Sequence, residues 1–164
     1  MNIRLSSLAD ADAVWDIIEP ILRAGETYAL PRDWSRADAL AYWYAPDHTV
    51  FVAQAEGKIL GTYLLHANHK GGGAHVANCG YMTHAQAFGR GIARAMCKHS
   101  IEYAADVGFR AMQFNFVVST NERAVALWKA FGFQIVGCVP GAFQHPTLGF
   151  VDAFVMFRTL QRHH

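Results

Sequence analysis

The chain has 164 residues, 52% of them hydrophobic and 16% charged, with a formal net charge of +1 at pH 7. This composition excludes a disordered chain, offers no basic face for nucleic acid, and fits one domain, which we place over residues 1–160. The three cysteines, Cys79, Cys97 and Cys138, are odd in number and form no CxxC pair, which excludes a disulfide framework or a zinc ribbon and leads us to expect a reducing cytoplasm.

The opening stretch MNIRLSSLADADAVW carries acids where a secretory leader needs an apolar run, and no apolar stretch of about 18 residues offers a membrane span. Residues Asn2 to Ser6 read as a short strand. Val14, Ile17, Ile18, Ile21 and Leu22 recur on one face of a helix that Ser7 or Asp10 caps. GETYALPRDWS reads as a loop, with Pro31 against helix, and Ser35 caps a second helix running to about Tyr44. TVFVAQAEGKILGTYLLHA is two strands joined at Glu56-Gly57, a hairpin signal. A loop, NHKGGG, leads to the strand AHVANCGYMT. The following helix buries Ile92, Met96, Tyr103 and Val107 and stops at Gly108. In RAMQFNFVVS, Met112, Phe114, Phe116 and Val118 share one face of a strand, with Gln113 and Asn115 on the other. TNERAVALWKAF is a helix with Ala124, Leu127, Trp128 and Phe131 on one side, closed by Gly132. FQIVGCV and FVDAFVMFR are final strands flanking the loop FQHPTLG. This order predicts an α+β mixed sheet. The terminal Arg162, His163 and His164 are native or a tag remnant and take no part in the functional reading.

The stretch FGRGIARAM is the first sign of chemistry. Strand, glycine turn and helix in succession place free amides and the positive end of a helix dipole at one point, which suits a phosphate. A tight turn that needs positive φ at Gly89 or Gly91 explains the same glycines. Neither GxxxxGK[ST] nor a GxGxxG followed by an acid is present, so the nucleotide-hydrolysing and dinucleotide motifs do not apply.

With NERAVALWKAFGF some thirty residues later, this stretch resembles the GNAT-type N-acetyltransferases. Their glycine loop falls on Phe88, Gly89, Arg90, Gly91, Ile92 and Ala93, and their second motif on Asn121, Ala124, Leu127, Trp128, Gly132 and Phe133. The resemblance implies a central, mostly antiparallel sheet of about seven strands, flanked by about four helices, with one splayed parallel pair. It implies acetyl-CoA as co-substrate and no metal. The pyrophosphate would rest on the amides of 88–93, and the pantetheine arm would run between the strands near 77–83 and 111–117. The backbone of Met82 and Thr83 would line the arm, one of their N–H groups would polarise the thioester carbonyl, and Asn121, Ala124 and Trp128 would meet the arm from the last helix. Asn121 reads equally as a helix cap.

Two positions depart from the family pattern. Phe88 stands where Arg or Gln is usual, which removes a side-chain contact and leaves the amides. Trp128 stands where many members place the Tyr that protonates the leaving thiolate; an indole N–H donates a hydrogen bond but is no proton source, and its helical spacing also suits core packing. The segments GETYALPRDW, HVANCGYM, FNFVVSTN and GFVDAFVM resemble, within that family, the acetyltransferases of azetidine-2-carboxylate, a proline analogue. Those too carry Trp at this place and an Asn in each matching strand.

Acetyl transfer needs a free amine, a polarised carbonyl and a protected thiolate. No carboxylate stands on the third long strand, so a base acting through water, or an amine already partly neutral, is expected. Asn78 and Asn115 offer amide donors for a substrate carboxylate or amide, unless the backbone satisfies them; with Asn121 they form the candidate catalytic set. Tyr28 and Trp34, in the loop between the first helices, would wall a small acceptor pocket or pack at the surface. Cys79 lacks an activating cation, and His66, His69, His75 and His84 lack metal-ligand spacing. His145 and Asp152 flank the last loop. The expected function is acetyl transfer from acetyl-CoA to a small-molecule amine, an amino acid or a toxic analogue that detoxification would remove. Peptide or protein N-acetylation and a catalytically silent acyl-CoA sensor are the alternatives. A homodimer is compatible with the sequence; nucleic acid and membrane partners are not expected.

Overall fold

The computed structural model describes residues 1–161, so the terminal Arg162 to His164 lie outside the described residues. Seven strands pair into one sheet: β1 (Asn2–Leu5), β2 (Thr49–Ala55), β3 (Lys58–Ala67), β4 (Val76–Thr83), β5 (Ala111–Val118), β6 (Gln134–His145) and β7 (Gly149–Thr159). Their order is β1-β2-β3-β4-β5-β7-β6, and only β4 and β5 run parallel. Four helices cover the two faces: α1 (Ala11–Ala24), α2 (Arg36–Trp43), α3 (Ile92–Asp106) and α4 (Glu122–Ala130). No helix among the described residues is long and apolar enough to cross a membrane.

Strand alternation divides the core in two. Odd residues of β4, such as Cys79, pack with Met96, Met112, Phe114, Trp128 and Phe133 under α3 and α4. Met82, on the opposite face, packs with Val14, Ile17, Ile18, Leu22 and Trp43 under α1 and α2. Gly61 lets α3 lie close on β3: a Cβ there would stand 2.7 Å from Ile92 Cγ2 and 2.8 Å from Met96 Cε. The β2–β3 hairpin turns at Glu56 (φ 53°) and Gly57 (φ 76°), the two positive φ values its twist requires. Ser35 Oγ caps α2 by accepting from Asp38 N–H at 3.1 Å.

Three expectations are corrected. The alternation in β5 breaks at an irregularity between Phe114 and Val117, which buries Val117 and turns Phe116 outward to meet Phe143. Val107 is exposed because α3 ends at Asp106, and Tyr103 is half-buried. The FQHPTLG segment is mostly strand: β6 runs to His145 and pairs Phe143 with Val151, leaving only a short turn before β7.

The N-terminal strand is fastened to α1 by Asp10. Arg4 grips its carboxylate with two bonds of 2.9 Å, and the Ser7 amide donates to Oδ2 at 2.8 Å. These donors, the Arg4 guanidinium first, hold the Asp10 carboxyl at about 2, below the ordinary 3.8. A depressed carboxyl stabilises the fold above its ordinary value and loses that contribution as pH falls through the folded one. Asp10→Asn is therefore expected to cost about 1–2 kcal/mol at neutral pH, with the gap from wild type narrowing as pH drops from about 4 toward 2, measured by denaturant melts.

Candidate active site

The parallel β4–β5 ladder stops almost where it starts. Its register comprises Val76↔Ala111 and Ala77↔Met112, and nothing beyond. On the other side of β4 the antiparallel ladder with β3 continues: His84 N–H donates to Leu60 O and Asn68 N–H to Val76 O, both at 2.8 Å. These bonds bracket the pairs Thr62↔Met82, Leu64↔Gly80 and His66↔Asn78. Antiparallel bonding alternates, so those residues bond to β3, while Cys79, Tyr81 and Thr83 turn their peptide groups toward β5. With β5 splayed away, these groups open on a cleft. Met82 lines the cleft, but its amide is committed to β3. Of the Met82 and Thr83 amides, Thr83's faces the cleft and Met82's does not.

Side chains stitch the parting strands. Asn78 Nδ2 donates to Gln113 O at 3.0 Å just past the last backbone pair. Tyr28 Oη donates to Tyr81 O at 2.7 Å. Gly80 makes room for this ring, since a Cβ there would stand 3.2 Å from the Tyr28 hydroxyl. The cleft widens into a cavity of about 820 Å³ whose wall includes Met82, Thr83, Phe88, Gly89, Gly91, Ile92 and Ala93. Asn78, Asn115, Asn121, Ala124, Trp128 and Tyr28 also line it.

At one end stands the glycine loop. Gly89 (φ 79°) and Gly91 (φ 78°) both occupy the left-handed region, and a Cβ on either would meet nothing within 4 Å. Backbone conformation, not crowding, calls for these glycines, and the empty space beside them is what an approaching anion needs. The first bond of α3 runs from Ala95 N–H to Gly91 O, at 3.0 Å. The amides of Ile92, Ala93 and Arg94 are left without helical partners at the positive end of a fifteen-residue helix. The Phe88 ring is exposed and touches the cavity; Arg90 is exposed and lies outside its wall.

Between the strands sits Trp128, 8% exposed. Its ring packs on Tyr81 and on Phe114, each with centroids 4.9 Å apart, and Phe114 stacks on Phe133 at 4.3 Å. The core-packing reading of Trp128 is therefore realised. Among the described residues its indole N–H has no protein partner and is not sealed in, and Trp128 lines the cavity. Asn121 is a helix cap: its Oδ1 accepts from Ala124 N–H at 3.4 Å. That bond leaves the Asn121 amide nitrogen, on a residue lining the cavity, uncommitted.

The opposite end lies under the loop after α1. Two arginines tie this loop down. Arg23 donates to the carbonyls of Arg32 and Trp34, and Arg32 donates back to Arg23 O at 2.7 Å. Trp34 packs on Tyr42 at 5.5 Å and is absent from the cavity wall, so of the two expected aromatic walls Tyr28 alone serves. Asn115 does not present a free amide: its Nδ2 donates to Asn68 Oδ1 at 2.6 Å, and its Oδ1 accepts from Gln113 Nε2 at 3.0 Å. Asn78 and Asn115 are both partly satisfied by the protein, each with one side-chain N–H already committed. Burial pushes the phenols of Tyr28, Tyr42 and Tyr81 up and keeps them protonated, and does the same to the Cys79 thiol.

Residues missed from the sequence are Asn68, Tyr42 and His66, all in the wall. His66 lies near the end of β3 and Asn68 just past it, and the pairing with β4 sets them against Asn78 and Val76, a register no local pattern announces. His145 accepts from the amides of Thr147 and Leu148, and Asp152 from Gly141 N–H at 2.9 Å; both shape the β6–β7 hairpin and neither lines the cavity.

Residues 12–133 match the model of the acetyltransferase (GNAT) family. The structure superposes on a GCN5-related N-acetyltransferase from Kribbella flavida with a TM-score of 0.91 and 42% identity over 97% of each chain. A second solved structure, yncA from Salmonella typhimurium with its cofactor acetyl-CoA, superposes with a TM-score of 0.85 at 21% identity, covering 100% of this chain and 96% of that one. Among characterised sequences, the N-acetyltransferase aca1 of Schizosaccharomyces pombe is 24% identical over 153 residues, 82% of this chain and 72% of the relative. A family match over most of the chain, on a sheet that parts where a thioester would enter, makes this protein a member of the GNAT acetyltransferase family.

Proposed function

We propose that this N-acetyltransferase, as a single domain over residues 1–160, moves the acetyl group of acetyl-CoA directly to the primary or secondary amine of a small molecule, an amino acid or an analogue such as azetidine-2-carboxylate. The observation that carries the reading is the limited size of the cavity together with the Tyr28 ring fixed across its far end. Tyr28, seated on Gly80 and bonded to Tyr81 O, roofs the cleft, and the Arg23–Arg32 clasp holds that roof in place. The volume of about 820 Å³ must hold the thioester arm as well as the acceptor, which leaves room for a small one.

Acetyl-CoA supplies a thioester, an activated acyl group with a thiolate as leaving group. The free amides of Ile92, Ala93 and Arg94, with the open space at Gly89 and Gly91, fit a pyrophosphate. The orphaned Thr83 amide fits a carbonyl that gains negative charge, and one such donor contributes about 3–4 kcal/mol of barrier lowering in acyl transfer. The uncommitted Asn121 amide nitrogen and the Trp128 N–H face the same cleft and suit the arm and its sulfur. Asn78 and Asn115 orient the acceptor with their remaining N–H groups. Three free cysteines, of which Cys138 is exposed, suit a reducing compartment, the cytoplasm.

The assay is CoA thiol release with a panel of azetidine-2-carboxylate, other amino acids, polyamines and short peptides. Turnover is expected with amino acids or their cyclic analogues, and exclusive turnover of peptides would overturn the reading. In the same assay Asn115→Ala should raise the acceptor KM several-fold while acetyl-CoA affinity holds, and unchanged kinetics would make Asn115 purely structural. Ala93→Glu places a carboxylate on the helix start without backbone strain, because Ala93 is already helical; acetyl-CoA affinity by calorimetry should fall at least about tenfold. We also propose a homodimer through the outer edge of β6, which ends the sheet and exposes Ile135, Val136 and Val139, with Phe150 of β7 exposed nearer the hairpin turn. Sedimentation should give twice the chain mass, and Val136→Lys should return it to one.

A further inference from the structure

The cavity wall contains a histidine that the chemistry above leaves unused. His66 stands directly across from Asn78 in the β3–β4 register and so shares the acceptor end. Its Nδ1 lies 2.8 Å from Ala67 O. A carbonyl only accepts, so Nδ1 carries a proton and the neutral ring keeps its lone pair on Nε2. Packing fixes the ring: it stacks on His48 with centroids 4.7 Å and planes 26° apart. His48 is held in turn, with Nδ1 3.0 Å from Trp43 O and Nε2 3.8 Å from Asp47 Oδ1. Asp47, His48 and His66 lie close enough together to resemble a cation site. Two near-parallel rings do not aim their nitrogens at one point, however, as metal ligation requires.

Among the described residues the rest of the wall offers no other proton acceptor. It contains no carboxylate, and its tyrosines and Cys79 are kept protonated by burial. Its remaining ionisable groups, Arg94 and Arg123, are permanent cations. The titratable groups around His66 are His48 and Asp47 from the loop before β2, Tyr42 from α2, which meets His48 edge-on at 5.8 Å, and Tyr28 from the loop after α1. Neighbouring β4 contributes the neutral Asn78.

We propose that His66 is the general base that deprotonates the acceptor, an inference that rests on the acceptor site assigned above. Nε2 takes one proton from the ammonium. The freed lone pair attacks the thioester carbonyl carbon, the N–C bond forms and the C–S bond breaks. The second nitrogen proton goes to the departing sulfur, giving the CoA thiol, and half-buried His66 returns its proton to solvent. The π face of His48 and the nearby Asp47 carboxylate steady the imidazolium.

The test is His66→Gln, which keeps polarity but cannot take the proton. Acetylation of azetidine-2-carboxylate, or of the best amine in the panel, is followed from about pH 6 to about pH 9.5. At neutral pH kcat/KM should fall about 100-fold or more, with acetyl-CoA affinity unchanged, and the deficit should shrink as the amine loses its own proton at high pH. A loss below about threefold with an unaltered pH profile would overturn the proposal. So would a pH-independent loss confined to the acceptor KM, which would make His66 a grip on the substrate. Should the variant fail to fold, the His66 ring resonance of the wild-type protein, recognised by its contacts to the His48 ring, should move when the amine is added to CoA-saturated protein; indifference would sink the idea. Asn78→Ala separates the two readings. An unchanged acceptor KM there, beside a pH-dependent loss in His66→Gln, removes the acceptor assignment and keeps the base, whereas the converse pattern removes the base alone.

Discussion

Everything in this site follows from the early end of one hydrogen-bonded ladder. Past Ala77 and Met112 the two parallel strands part, and each peptide group they fail to share is a buried donor or acceptor that costs about 1–3 kcal/mol if left unmatched. The protein matches some and spares others. Gln113 O takes the Asn78 amide and Tyr81 O takes the Tyr28 hydroxyl. The amide of Thr83 is left facing the opening. That selective satisfaction leaves a donor at a defect in the sheet, where the proposed mechanism puts the thioester carbonyl, and it makes Asn78 and Tyr28 part of the fold as well as of the cavity wall.

The parting is held by packing rather than by any hinge. Trp128 enters from α4 and rests on Tyr81 of one strand and Phe114 of the other, with Phe133 behind. The irregularity in β5 after Phe114 turns that strand away at the same level. On the opposite face the Arg23–Arg32 clasp fixes the loop that carries Tyr28. The cleft is thus wedged on one face and roofed on the other. Preorganised donors of this kind need no rearrangement when charge develops on a thioester oxygen, which is the condition under which they lower a barrier.

Much of this was legible in the sequence because it is local. The glycines at 89 and 91, the cap at Asn121, the hairpin at Glu56-Gly57 and the helical faces all depend on residues within a few positions of one another. What escaped depends on register and bulges. Whether Met82 or Thr83 points its amide into the cleft is decided by the β3 pairing across the strand, and a one-residue change of register would reverse the answer. The same pairing brings His66 and Asn68, unremarkable at the end of a strand, to the acceptor end. The exposed Phe116 and the lengthened β6 reflect bulges that alternation cannot announce. Trp34 shared its loop with Tyr28, but only the partner each ring found, a strand carbonyl for one and Tyr42 for the other, separated their roles.

The tryptophan at the position where a phenol is common fits this division of labour. Indole cannot deliver a proton, so the leaving sulfur must depart as thiolate or take a proton from the acceptor. A thiol titrates near 8.5, so departure as thiolate at neutral pH forfeits only about 2 kcal/mol relative to protonated release. Against that stands the packing: aromatic contacts contribute about 0.5–1.5 kcal/mol each beyond their buried area, and Trp128 makes two close ones across the splay. A smaller phenol would reach fewer partners, and the strands would lose part of the wedge that keeps the Thr83 amide exposed. In this chain the larger ring maintains the geometry on which carbonyl polarisation depends. On the proposed mechanism its N–H offers the sulfur a hydrogen bond, proton supply falls to the substrate's own nitrogen, and proton removal falls to the acceptor end of the site.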